Sequence, residues 1–257
     1  MVGLVAALAA LPAMAQPGRE AMAGFDQYVQ RVETRLAAER RPDGRFLAAA
    51  PAGARAGGGN VALEQLTPDG GEELPGALLH DWRGTAFVPG ATAAQFETLL
   101  RNFGEYPRVF APQVARTWVL PDGDVKMRVV QTHVITVVLD TTYRVSFGAR
   151  DALHGYSTSR STQVAEIENA GTSHEQALTA AEAHGFLWRM NTYWSWEQRD
   201  GGLYLQIETV SLTRGVPAGL GWAVRPFIES VPRESLAFTL RAASKALQRE
   251  SATGRTR

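Results

Sequence analysis

The histidines and cysteines decide whether this chain could hold a metal ion. Cysteine is absent, which excludes thiolate catalysis, disulfides and cysteine-ligated metals. The histidines are His80, His133, His154, His174 and His184. No two of them are four residues apart, and none belongs to a compact pattern with carboxylates that would complete a ligand set. The sequence therefore predicts no metal.

The glycine and serine patterns predict no cofactor and no serine nucleophile. The glycine runs lack the strand-to-helix context and the Lys-Ser/Thr pair of a phosphate-binding loop. Ser157, Ser159 and Ser161 alternate along a polar stretch, and no nucleophile elbow surrounds them. If the protein is an enzyme, its general acid or base must be another polar side chain. The candidates are His133, Glu166 and Tyr193.

A set of polar residues occupies alternating positions in segments that read as strands. It consists of Arg144, Arg160, Glu166, Arg189, Asn191, Tyr193 and Glu208. If some of them face the interior, a buried guanidinium needs a carboxylate partner and could hold an acidic head group through two hydrogen bonds. If they face outward, they form ordinary cross-strand pairs on a solvated sheet face. The outward interpretation is favoured because antiparallel sheets commonly have one wet face.

A helix that would close over these strands is predicted near the C terminus. Its apolar stripe consists of Leu236, Leu240, Ala243 and Leu247. Pro232 suits a first helical position, and Pro226 would kink a helix that began earlier. The segment from 215 to 250 is therefore predicted to form one bent helix or two in tandem. Residues 251–257 are predicted to be a disordered tail.

The first 60 residues are predicted to lie outside the main domain. Met1 to Ala15 contains an apolar run and an Ala-x-Ala end, which is typical of a signal peptide, although the basic n-region is missing. We therefore expect export, to the periplasm or beyond. Pro42 to Asn60 is rich in glycine and alanine and is predicted to be a flexible linker.

Between these two segments lies the apolar stripe of a short helix, formed by Phe25, Tyr28, Val29, Val32 and Leu36. Its polar face mixes charges of both signs. We therefore interpret this leader helix as an accessory element packed on the main domain rather than a lid or a membrane anchor.

The main domain, residues 61–250, is predicted to begin with strands at 61–66 and 77–88. Thr92 and Gln95 form a capping box that starts a short helix, and one more helical turn covers 105–110. The pattern then alternates with period two, as strands do. These strands are predicted at 117–120, 125–139, 141–147, 154–168, 186–197 and 203–209, with Ala170 to His184 as an insertion or long loop.

Two further signals complete the prediction of the main domain. Asp200-Gly201-Gly202 indicates a tight hairpin. Trp188, Trp194 and Trp196 are predicted to pack against the C-terminal helix. The fold class is therefore α+β, a curved antiparallel sheet with helices on one face.

Three stretches resemble the START-like, or SRPBCC, superfamily of helix-grip proteins, which includes lipid-transfer domains and polyketide cyclase/dehydrase-like proteins. They are WRGTAFVPGATAAQFETLLRNFGEYPRVF, FLWRMNTYWSWEQRDGGLYLQIE and VPRESLAFTLRAASKAL, and the resemblance runs from about His80 to Gln248. The stretch HGFLWRMNTYWSWE is similar to an exported bacterial branch of that superfamily. The resemblance implies a sheet wrapped around a long C-terminal helix, with two short helices after the first strand and a cavity for an apolar or amphipathic ligand. It transfers no catalytic set.

We therefore expect an exported protein that binds or carries a hydrophobic or amphipathic small molecule, such as a lipid, an isoprenoid or an aromatic compound. The residues expected to contact it are Trp222, Phe227, Leu236, Leu240, Phe110, Arg189, Asn191 and Arg160. The glycines and the proline before Pro232 favour a movable segment that gates the cavity.

Two alternative functions remain open from the sequence. One is a cyclase or dehydratase that uses a polar group in the same cavity, and the other is a structural envelope protein whose cavity is filled by its own side chains. Nucleic acid is not expected as a partner, because 26 basic and 26 acidic residues leave no basic excess. Peripheral contact with a membrane stays open, and the sequence sets no oligomeric state.

Overall fold

The computed structural model describes residues 16–48, 61–132, 136–179, 181–215 and 221–254, and for 221–229 and 252–254 it describes the backbone alone. The predicted signal peptide, most of the predicted linker and His133 lie outside these residues. The side chains of Trp222 and Phe227 also lie outside the described part. The same holds for most of the predicted gate before Pro232, of which the helical backbone is described.

Four α-helices and ten strands occur in the described residues. The helices are α1 (Arg19–Glu39), α2 (Ala93–Arg101), α3 (Tyr106–Val109) and α4 (Gly221–Gly254), with a 3-10 turn at Phe103–Glu105. The strands are β1 (Val61–Gln65), β2 (Glu72–Leu74), β3 (Ala77–Pro89), β4 (Val114–Val119), β5 (Val125–Thr132), β6 (Thr136–Asp151), β7 (His154–Glu168), β8 (Gln176–Ala177), β9 (Arg189–Arg199) and β10 (Gly202–Arg214).

All the strands pair in an antiparallel manner. The order across the sheet is β1-β3-β10-β9-β7-β6-β5-β4, and β2 and β8 add short edges to β3 and β7. The predicted hairpin is confirmed, because Asp200 and Gly201 have φ values of 54° and 73° between β9 and β10. Two successive residues with positive φ give the turn whose twist matches that of paired strands. The predicted capping box of α2 is also present.

Helix α4 packs on one face of this sheet. Leu236, Leu240 and Leu247 are buried in a core with Trp82, Ala86 and Val88 of β3 and with Leu203 and Leu205 of β10. The contact is close at Gly84, where an added Cβ would lie 2.4 Å from Leu240 Cδ1. A larger residue there would push the helix away. The sheet, the two short helices and α4 together confirm the predicted helix-grip, START-like α+β fold.

Helix α1 packs on the opposite face of the same strands. Its buried residues Ala21, Phe25, Val32 and Leu36 form a second core with Ala77, Leu79, Tyr193, Val210 and Leu212. Phe46 and Leu47 continue this cover and are buried against Tyr204. This part of the predicted linker is therefore packed on the sheet. Both faces of β3 and β10 are therefore covered, one by α4 and the other by α1.

Three predicted boundaries were wrong. Helix α4 runs without interruption from Gly221 through Pro226 and Pro232 and continues to Gly254, so Pro232 does not start it, and residues 251–254 are helical. A proline removes one helical hydrogen bond, and the packing of α4 on β1, β3 and β10 sustains the rest. The predicted strand 125–139 is two strands, because the chain reverses between Thr132 and Thr136, which pair with each other.

Candidate functional site

The residues of the sheet that face α4 are called the grip face here, and one row across its middle is only half-buried. Thr209 of β10, Thr192 of β9, Ser159 of β7 and Val145 of β6 are in register from strand to strand and form this central row. Several of its grip-face neighbours, such as Trp194, Ser161 and Tyr143, are buried.

Partial exposure in the middle of interior strands indicates a space above them. Residues at such positions would be fully buried if the helix packed directly on them. Met190 lies next to Thr192 on the same face and is also half-buried. Beyond the buried Tyr143, a second half-buried apolar group on this face consists of Met127, Val129, Val137 and Val164. The central row and these five residues define the candidate binding site.

The other side of the grip face is solidly packed. The ring of Phe96 in α2 lies edge-on to Trp194 and Trp196, with centroids 5.1 and 5.3 Å away. Leu236, Leu240 and Phe110, which the sequence suggested as ligand contacts, are buried in this same core. They close one wall of the candidate site. Trp194 and Trp196 pack as predicted, but Trp188 packs in the opposite core, under α1.

Two buried titratable side chains of the grip face have no hydrogen-bond partner in the described part of the chain. They are His80, whose two ring nitrogens are both unpaired, and Tyr143, whose hydroxyl is unpaired. Burial lowers the pKa of His80 to about 4, so this ring is neutral near pH 7. Burial likewise raises the pKa of Tyr143 to about 12. Neither residue brings a charge to the site.

Arg160, Arg189 and Asn191, which the sequence suggested as ligand contacts, lie on the face of the sheet opposite the candidate site. Their register places them on the face that α1 covers, beside Tyr193 and Glu208. These residues therefore face away from α4, whereas Glu166 of the same set lies on the grip face. Part of the α1-covered face is shielded from solvent. Asn191, Tyr193 and Glu208 are 1%, 2% and 2% exposed. The leader helix covers them, which the alternation of the strand sequence could not reveal.

A polar network beneath α1 uses these residues. Glu33 of α1 accepts hydrogen bonds from Arg160 Nε at 2.7 Å and from the Tyr193 hydroxyl at 3.0 Å. Glu208 pairs with Arg35 of α1 and with Arg83 of β3, whose Nη2 lies 2.9 Å from Glu208 Oε2. Tyr193, one of the catalytic candidates named from the sequence, therefore connects the leader helix to the sheet.

Glu166, another catalytic candidate, holds a loop in place. Its carboxylate accepts hydrogen bonds from the backbone N–H groups of His184, Gly185 and Phe186 at 2.8 to 3.0 Å, and His184 Nδ1 lies 2.9 Å away. Its acceptor positions are committed to the end of the predicted insertion. A general base needs a free lone pair within reach of a substrate proton, so this geometry favours an anchoring role.

Asp81 and Tyr28 form a further buried contact under α1. The Tyr28 hydroxyl donates to Asp81 Oδ2 at 2.9 Å, and Asp81 is 1% exposed. Burial, together with the nearby charge of Glu208, raises the pKa of Asp81 to about 8. The same burial raises the pKa of Tyr28. The carboxyl group of Asp81 therefore keeps its proton to a higher pH in the folded protein than in the unfolded chain.

Replacing Asp81 by asparagine is expected to flatten the pH dependence of stability between about pH 4 and pH 8. The native state keeps a proton on Asp81 that the unfolded state releases in this range, so the unfolding free energy of the parent protein falls as pH rises. The slope from one such group is at most about 1.4 kcal/mol per pH unit. Urea unfolding across this range measures it. Asp69→Asn, at an exposed position, should leave the slope unchanged, and parallel curves for the parent and Asp81→Asn would contradict the assignment.

A separate groove of about 590 Å³ lies outside the grip, between α2, α3 and the second half of α4. Leu99, Val109 and Phe238 line it together with charged residues of both signs. It does not include the central row. Among the described residues, no group of three or more histidine and carboxylate side chains could hold a metal, and no helix is long and apolar enough to cross a membrane.

The sheet with α4 packed on it has the helix-grip, START-like arrangement. No protein-family model matches the sequence, and no curated protein matches it. Solved structures with a similar arrangement include a START superfamily protein from Mycobacterium smegmatis, at 14% identity and a TM-score of 0.44, covering 66% of this chain and 97% of the other.

Two more solved structures are similar to the chain at the same level. The Zhui aromatase/cyclase from Streptomyces sp. R1128 is 14% identical with a TM-score of 0.45, covering 66% of this chain and 94% of the other. A STAR-related lipid transfer protein from Xanthomonas axonopodis is 15% identical with a TM-score of 0.35, covering 70% and 98%. These likenesses concern the arrangement of the backbone, and no ligand follows from them.

Proposed function

We propose that this protein binds or carries a hydrophobic or amphipathic small molecule in the space between the grip face and α4. The half-buried central row supports this most directly, because a sheet face that is covered by a helix and still partly accessible leaves room for another molecule. The lining is apolar apart from a few hydroxyl groups, which is the usual composition of small-molecule sites.

The two alternatives receive less support. An enzyme needs a free acid or base in the cavity, and the two described candidates, Glu166 and Tyr193, are committed to a loop and to α1. A structural protein with a filled cavity would bury the central row. The proposal includes export, which rests on the sequence from Met1 to Ala15.

The test is whether the purified full chain binds apolar ligands and whether the central row is where they bind. Native mass spectrometry with a panel of phospholipids, isoprenoids and polycyclic aromatics should show complexes of one ligand per chain. Protein that binds no member of the panel and carries no ligand from its own cells would overturn the proposal.

Filling the site should prevent this binding. Val145→Trp places a large ring over the central row, and we expect affinity to fall by at least about tenfold, the low end of what steric misfit costs in an apolar pocket. Val119→Trp is the matched control, since Val119 is 64% exposed on β4. Equal affinities of the two variants would show that ligands bind elsewhere, with the outer groove beside α2 as the next place to examine.

A further inference from the structure

Three hydroxyl groups lie side by side in the central row. Thr209 pairs with Thr192, and Thr192 pairs with Ser159, so the three side chains project from neighbouring positions on adjacent strands. Strands are about 4.8 Å apart, and the row therefore spans roughly 10 Å. All three residues are half-buried, and none of their hydroxyls has a hydrogen-bond partner in the part of the chain that the structure describes.

The positive charges of the described strands lie away from this row. Arg83, Arg160 and Arg189 project from the other face, where they meet Glu208, Glu33 and Asp26. The buried carboxylate of the grip face, Glu166, is already surrounded by backbone N–H donors. Among the described strand residues, none on the grip face is an arginine or a lysine that could pair with an anionic ligand.

We propose that Ser159, Thr192 and Thr209 anchor a neutral ligand through its hydroxyl or carbonyl oxygens, and that the site discriminates against carboxylates. This inference rests on the proposed function and names the ligand class for the same site. A hydroxyl side chain can both donate and accept, so the row suits alcohols, ketones and esters. An ionised carboxylate would lose its hydration without gaining a cationic partner, which makes its burial costly.

The test compares ligands that differ only in charge. Three matched pairs serve as probes at pH 8, namely hexadecanol and hexadecanoate, farnesol and farnesoate, and retinol and retinoate. Quenching of tryptophan fluorescence reports binding, because Trp82 and Trp194 flank the row on the grip face. For the pairs that bind, we expect the alcohol to bind at least about tenfold more tightly than the carboxylate, since burying an unpaired charge costs more than burying a hydroxyl.

Thr192→Val removes the central hydroxyl while keeping the shape of the side chain. It is expected to weaken alcohol binding by about three- to tenfold, the range for one hydrogen bond, and to leave carboxylate binding unchanged. Thr158→Val is the control, because Thr158 lies beside Ser159 but faces α1. Circular dichroism and urea unfolding establish that both variants fold.

The outcomes separate the two proposals. Carboxylates that bind as tightly as their alcohols, or equal effects of Thr192→Val and Thr158→Val, would overturn the hydroxyl anchor while leaving a ligand cavity in place. A protein that binds neither member of any pair, nor any member of the wider panel, would overturn both. A preference for alcohols that Thr192→Val reduces and Thr158→Val does not would establish the anchor.

Discussion

Replacing Leu240 by alanine is expected to lower the unfolding free energy by about 2–5 kcal/mol, because the surroundings of a truncated core side chain collapse only partly. Leu240 is 0% exposed and lies against Gly84 of β3. Leu236→Ala and Leu247→Ala should fall in the same range. Chemical denaturation with fluorescence detection measures all three.

The opposite face of the same helix supplies the control. Arg233, Arg241 and Lys245 are exposed, and their replacement by alanine should change stability by no more than about 0.5 kcal/mol. If Leu240→Ala lowered the unfolding free energy no more than Lys245→Ala does, the helix would not be packed on the sheet in the way described.

Replacing Glu208 by alanine is expected to cost about 3–5 kcal/mol, because the buried guanidinium of Arg83 would lose its main partner. Arg83 Nε and Nη2 lie 3.0 and 2.9 Å from Glu208 Oε2. Arg35 of α1 would lose its partner in the sheet as well. We therefore expect limited proteolysis to cleave within residues 19–39 sooner than in the parent protein.

Glu64→Ala is the matched control for this prediction. Glu64 pairs with the same Arg83, at 3.2 Å, but its side chain is 36% exposed. An exposed pair contributes about 0–1 kcal/mol, so this variant should stay within that range and keep α1 resistant to protease. Similar losses of unfolding free energy for Glu64→Ala and Glu208→Ala would show that the burial of a carboxylate does not determine how much it contributes to stability.

Local patterns in the sequence predicted most of the fold correctly. The leucine stripe of α4, the capping box of Thr92 and Gln95, and the Asp-Gly turn before Gly202 each depend on interactions between residues close in the chain. The reversal after Thr132 was missed because neither glycine nor proline marks it, and the flanking stretches are equally apolar. The start of α4 was misplaced because the prediction relied on the two prolines. The packing that sustains the helix through them is not visible in the local sequence.

The candidate site was harder to predict than the fold. Alternation in a strand shows which residues share a face, but both faces of β3 and β10 are buried here, under α4 and under α1. The polar residues around Tyr193 and Arg160 were therefore interpreted as a solvated surface, with a ligand site as the alternative. The row of Thr209, Thr192 and Ser159 could not be seen from sequence, because it depends on the register of three strands.

The contacts of α1 join positions far apart in the chain. Arg35 and Glu208 are separated by 173 residues, and Glu33 and Tyr193 by 160. During synthesis, at ~5–20 residues per second, the leader helix would leave the ribosome on the order of ten to thirty seconds before the strands that cover its apolar stripe. Throughout that interval Phe25, Val32 and Leu36 have no native partner in β10. The first described helix of the chain must therefore be among the last to dock, which makes it a natural point for chaperone binding.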